Sequence, residues 1–192
     1  VEPKCAYHKQ CGGCQIQALS YEKQLVYKKK KVLNNIARIG GLTNLPEFDV
    51  IGMENPYHYR NKAQFPFGTD KNGEVVTGFY AGRTHSIIPN TECYLGVEEN
   101  RQILEMILEH MKKYHIPAYD EQTGKGLLRH VLIRKGFTTG ELMVCFILNG
   151  TRMPEMKELV EKLTKISGMT SITINVNTKQ TNVIMGSEMR SV

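Results

Sequence analysis

Three cysteines crowd the opening of this chain, at Cys5, Cys11 and Cys14, in the stretch CAYHKQCGGCQIQ. Cys11 and Cys14 are separated only by Gly12 and Gly13, so the chain between them can wrap more tightly than any residue with a side chain would allow. Two further cysteines exist, Cys93 and Cys145. Cys145 lies in the apolar run LMVCFIL, where a thiol serves as a small buried hydrophobe. Cys93 lies in the polar stretch IPNTECYLG, where packing gives little reason for it. The pattern is three thiols together and one distant.

Three readings of that pattern compete. A disulfide framework is disfavoured, because no secretory leader opens the chain and 192 residues at 41% hydrophobic content suffice for a core. A four-thiolate zinc site is chemically sound, but structural zinc sites usually draw on two close pairs. A cubane iron–sulphur cluster suits three-plus-one better, since its four iron corners accept three ligands from one loop and a fourth from elsewhere. The amides of Gly12 and Gly13 could then point at sulphur.

Charge adds a second constraint. The net charge is +6 with a pI near 9.0. Most of it falls in residues 1–48, through Lys4, Lys9, Lys23, the run Lys28 to Lys31 and Arg38. A basic pole points to a polyanion such as nucleic acid; a solvated helix face is the plainer explanation. The lysines sit in a helical pattern that Ser20 caps, with Leu25, Val32, Ile36 and Ile39 on one stripe and Gly40-Gly41 at its end. A membrane-surface helix is disfavoured by the few apolar residues and the lack of a large aromatic on that stripe. No apolar run reaches the length of a membrane span.

Beyond residue 48 the sequence predicts a connector with a short strand over TNLPEFDVIGMENPYHY, then hairpins and helices in alternation. YRNKAQFPFG and EVVTGFYA flank the turn Asp70-Lys71-Asn72-Gly73, and HSIIP adds a strand. An amphipathic helix covers 98–115, with Ile103, Ile107 and Met111 in one row and Leu104 and Leu108 in the next. LLRHVLIRKG pairs with ELMVCFILNG, a helix follows over 154–166, and SITINVN and TNVIMG form a last hairpin. The expected fold is therefore α+β, a largely antiparallel sheet with helices on one face. Two units are expected: 1–48 as cysteine loop and basic arm, and 49–192 as the α+β domain.

The cysteine stretch, the tyrosine-containing basic helix after it and the distant Cys93 together resemble the RNA uracil-5 methyltransferase family that carries a [4Fe-4S] cluster. YRNKAQFPFG, GLLRHVLIRKG and NVNTKQTNVIMGSE resemble the same family, in order and over essentially the whole chain. The resemblance implies that Cys5, Cys11, Cys14 and Cys93 hold the cluster. It implies a cytoplasmic, S-adenosylmethionine-dependent enzyme, of the branch acting on 23S ribosomal RNA. Its Rossmann-like catalytic domain, with a cysteine nucleophile and a carboxylate base, would lie beyond this chain, as would a β-barrel RNA-binding module. No strand–G-x-G-x-x-G–helix unit occurs here. The chain, starting at Val1 without methionine, is thus expected to be an excised, catalytically inactive central part.

RNA contact is expected from Arg60 and Lys62, on one face of YRNKAQFPF, and from Arg129 in the second basic strand. Tyr57, His58 and Tyr59 offer rings for splayed bases. No membrane and no obligate protein partner is expected. Two other functions remain open: a non-enzymatic RNA-binding module with a structural four-cysteine zinc, and a ferredoxin-like electron carrier.

Overall fold

The computed structural model describes residues 1–192. Three helices, α1 (Tyr21–Arg38), α2 (Glu99–Lys113) and α3 (Met156–Leu163), accompany seven strands. The strands are β1 (Lys62–Thr69), β2 (Val75–Tyr80), β3 (Ile87–Pro89), β4 (Leu128–Lys135), β5 (Leu142–Leu148), β6 (Met169–Val176) and β7 (Glu188–Ser191). They form one sheet in the order β3-β2-β1-β4-β5-β6-β7. All neighbours pair antiparallel except β5 and β6, which α3 joins as a parallel crossover. The α+β expectation holds.

Local chemistry explains the tight connections. Between β1 and β2, Gly73 adopts φ +83°, and Asp70 Oδ1 accepts from the amides of Asn72 at 2.8 Å and Glu74 at 2.9 Å. On one face of the sheet, Phe65, Val131, Ile133, Val144 and Phe146 meet Ile103, Leu104, Ile107 and Met111 of α2 and Leu159 and Leu163 of α3. Each such side chain contributes about 1.5–3 kcal/mol on burial, so this layer is the main source of stability. His110 of α2 donates through Nε2 to the Pro154 carbonyl at 2.9 Å, which fixes the approach to α3.

The other face carries a smaller cluster, Leu132, Cys145 and Ile147, with Ile184 and Met185 packed on it. Here the expectation of a TNVIMG strand is corrected. Residues 181–186 form no strand; they fold over the sheet, and the strand that pairs with β6 is β7. Side-chain amides take the place of a ladder: Asn177 Nδ2 donates to the carbonyls of Val183 and Ile184 at 2.7 and 2.9 Å, and Asn175 Oδ1 accepts from the Gly186 amide at 2.7 Å.

Helix α1 begins as expected, with the Ser20 hydroxyl accepting from the Lys23 amide. It buries none of its residues, and Val26, Val32 and Ile39 are exposed. The following segment returns along it: the Met53 amide donates to the Tyr21 hydroxyl at 2.7 Å, and Lys29 approaches the Phe48 ring. The short strand expected in this connector does not form, since residues 41–59 take no partner strand. No helix is long and apolar enough to cross a membrane.

Candidate functional site

The cysteine loop is a series of turns laid on the end of β2. Tyr7 O accepts from the amides of Gln10 at 2.9 Å and Cys11 at 2.8 Å, closing the chain between Cys5 and Cys11. Gly12 N donates to Tyr80 O and Gly82 N to Gln10 O, both at 3.1 Å. A Cβ at Gly12 would stand 3.4 Å from both Gly82 Cα and Tyr80 O, in van der Waals contact with the strand end. The Gly13 amide donates to Cys11 Sγ at 3.4 Å, a backbone dipole aimed at sulphur.

Cys93 reaches the same place by a different route. Its loop is tied to β2 by Asn90 N donating to Thr77 O at 3.0 Å. On the other side, His58 N and Arg60 N donate to Tyr94 O and Leu95 O, both at 2.8 Å. Asn90 is buried and its Oδ1 accepts from the Glu92 amide at 3.0 Å, setting the turn before Cys93. His58 holds φ +55° while its ring nitrogen Nδ1 donates to Gly96 O at 2.8 Å. Pre-arranged loops on both sides thus fix a residue 79 positions from Cys14 beside it.

Cys5, Cys11, Cys14 and Cys93 line one cavity of about 30 Å³, together with His8, Gln17 and Arg60. None is in a disulfide, and all four are partly buried. Burial pushes the Cys5 thiol up; the Tyr7 backbone draws it down, and charge on Cys93 and Cys11 raises it again. Cys14 is raised by burial, then by Cys93 and Cys11, while Arg60 opposes the shift. As thiolates the set repels itself, and a cation among them would relieve that repulsion. No three His, Cys, Asp or Glu side chains are gathered as a ready single-ion group. His8 turns its Nδ1 to the Cys5 carbonyl at 3.2 Å, and Cys145 is buried in β5 away from the cavity.

The basic residues separate. Lys62 is exposed and its Nζ donates to Gln64 Oε1 at 3.0 Å along the same strand face. Arg60 is exposed overall but borders the thiols. The expectation that Arg129 contacts phosphate is corrected: the residue is 4% exposed. Its guanidinium donates to the carbonyls of Asn177, Lys179 and Thr181 and lies 4.2 Å from the Tyr119 ring centre. A register shift between Leu128 and His130 takes it out of the strand's regular alternation. Of the rings expected to stack on bases, Tyr57 and His58 pack edge-on to Tyr94, and Lys4 covers Tyr57 at 4.2 Å; Tyr59 stays exposed. Gln17 joins the site with no local signal in the sequence; its Oε1 is buried there without a partner.

This α+β scaffold has known counterparts. The chain is 42% identical over 189 residues to a protein of Clostridium tetani named an uncharacterized RNA methyltransferase, covering 98% of this chain and 41% of that protein. A Bacillus cereus protein of the same name is 45% identical over 186 residues, with 96% and 40% covered. The chain therefore spans about two fifths of the length of the curated relatives it matches. Among solved structures, the Pyrococcus abyssi tRNA (uracil-54, C5)-methyltransferase in complex with S-adenosyl-L-homocysteine shares the fold at TM-score 0.70 and 24% identity, over 97% of this chain and 42% of that one. No protein-family model matches.

Proposed function

We propose that this chain is the cluster-binding, RNA-contacting central part of an S-adenosylmethionine-dependent RNA uracil-5 methyltransferase acting on 23S ribosomal RNA. The observation that carries the reading is the meeting of Cys5, Cys11, Cys14 and Cys93 in one cavity, within a chain similar to RNA methyltransferases along its whole length. The donor chemistry fits a [4Fe-4S] group: four free thiols, an amide directed at sulphur, and a compensating cation in Arg60. Four thiolates would suit a structural zinc as well, and metal content separates the two. When bound, the cluster supplies an inorganic junction between the loop at 5–14 and the loop at Cys93.

In this reading residues 1–48 form the cysteine loop and basic arm, and 49–192 the central domain. Lys62 and Arg60 hold phosphates, with the lysines of α1 adding attraction at longer range. None of the chain's strand-to-helix junctions carries G-x-G-x-x-G, so its residues do not fit S-adenosylmethionine and methyl transfer is assigned to the longer protein.

The test has two arms. The full-length protein should place a labelled methyl group on a uridine of 23S ribosomal RNA, while this chain alone places none. Label entering transfer RNA alone would refute the ribosomal assignment, and label from this chain would refute its inactivity. Anaerobically purified protein should be brown; a colourless protein holding zinc would favour the non-enzymatic module instead.

A further inference from the structure

A groove of about 900 Å³ opens on the sheet between the β1–β2 turn, β3 and the loop at 119–122. Its wall is an aromatic pair: the rings of Tyr80 and His85 stack with centres 5.1 Å apart at 29°. Glu121 braces both, accepting from the Tyr80 hydroxyl at 3.3 Å and from His85 Nδ1 at 2.7 Å. The His85 side chain is still 69% exposed, so one ring face is open to the groove's surroundings.

A second observation concerns His130, which also lines the groove. It is 8% exposed, and its Nδ1 is buried with no hydrogen-bond partner. That nitrogen is sealed from solvent, so the ring meets the groove as part of its wall. Burial first, then the Arg129 charge, pushes the His130 ring down to about 4, with Glu121 opposing. The ring is therefore neutral near pH 7 and adds no charge to the groove wall.

Charge then decides what class of group fits. Asp70, Asp120 and Glu121 border the groove, against Lys71 and Arg129, and the Arg129 guanidinium is turned to backbone carbonyls. A phosphate would meet more negative than free positive charge here. A flat, neutral ring with heteroatoms on its edge meets none of that repulsion.

We propose that this groove receives one unstacked nucleobase of the bound RNA, its face on the open side of the Tyr80–His85 pair and the neutral His130 ring in the groove's lining. The proposal rests on the RNA-binding reading above and adds a site to it. It separates the two kinds of contact: backbone on the Lys62 face, base in the groove. Neutral bases stack on such platforms with little sequence preference, so this site holds the strand without choosing the target.

The probe is a single-stranded RNA of about ten nucleotides, compared with the same backbone made abasic. The ring signals of His85 and His130 should shift in nuclear magnetic resonance spectra on adding the intact RNA and stay put with the abasic one. His85→Ala removes only an exposed ring, so it should fold normally; it should weaken binding about ten-fold with an unchanged salt slope. If the wild-type chain binds this RNA while His85→Ala binds equally well and both histidine signals are silent, the groove proposal alone is overturned. If the wild-type chain binds no RNA at all, the RNA reading itself is overturned together with the groove.

Discussion

The Gly12 amide donates to the Tyr80 carbonyl at 3.1 Å, so the loop bearing three cysteines rests on the last residue of β2. The same strand anchors Cys93, through Thr77 O and Asn90 N. Strand β2 is thus the shared support of all four thiols, and its integrity should govern the site.

That dependence can be tested at Gly78, where a Cβ would lie 2.0 Å from the Ile88 carbonyl oxygen and 2.6 Å from Asn90 N. Backbone atoms cannot step aside cheaply, so Gly78→Ala should lower stability by about 1–3 kcal/mol in denaturant titrations. It should also loosen whatever the thiols hold, because Asn90 precedes Cys93. An unchanged midpoint would show that β2 and β3 are less closely joined than the register indicates.

Cys145 provides the internal contrast. It is 1% exposed, beside Leu132 and Ile147, and burial raises its thiol. Cys145→Ala should cost about 1 kcal/mol through the cavity it leaves, with no effect on metal content. Loss of metal in that variant would place Cys145 among the ligands.

Acid should weaken the fold through His130. Its folded pKa of about 4 lies below the ordinary 6.5, so the unfolded chain takes up the proton first. Stability is then fully present above pH 6.5 and declines as pH falls toward 4, by roughly 2–3 kcal/mol at the lower end. Arg129 reinforces the shift and Glu121 opposes it. In His130→Gln, denaturant midpoints measured across this window should fall less steeply; parallel curves for the two proteins would remove His130 as the cause.

Lys62 and Arg129 should part company in RNA binding. Reversing Lys62 to Glu should reduce the slope of log K against log salt by about 0.7 or slightly more, as one single-strand phosphate contact is lost. Arg129→Met should instead destabilise the chain by about 2–4 kcal/mol, since three carbonyls of residues 177–181 lose their donor. Equal salt slopes for wild type and Lys62→Glu would mean that this strand face does not meet RNA.

The contrast between those two residues shows what the sequence can and cannot convey. Periodicity locates α1, α2 and the β1–β2 and β4–β5 hairpins, because apolar spacing and turn glycines act locally. The three-plus-one cysteine pattern also points to Cys93, since packing does not account for a thiol in a polar loop. Arg129 is illegible in the sequence because its environment comes from a register shift and a segment some fifty residues later. TNVIMG looks like a strand, yet Asn175 and Asn177 capture its backbone while Ile184 and Met185 cover Leu132 and Cys145. The Tyr80–His85–Glu121 groove joins three separate stretches and leaves no local signature.

Whether Cys5, Cys11, Cys14 and Cys93 hold one cluster is read out by iron and sulphide content after anaerobic purification. Wild type and Cys145→Ala should both be brown, with about four irons and four sulphides per chain, while Cys93→Ser should lose most of both. Iron-free wild-type protein carrying a single zinc, or a Cys93→Ser variant that keeps the full complement of iron, would rule the four-cysteine cluster out.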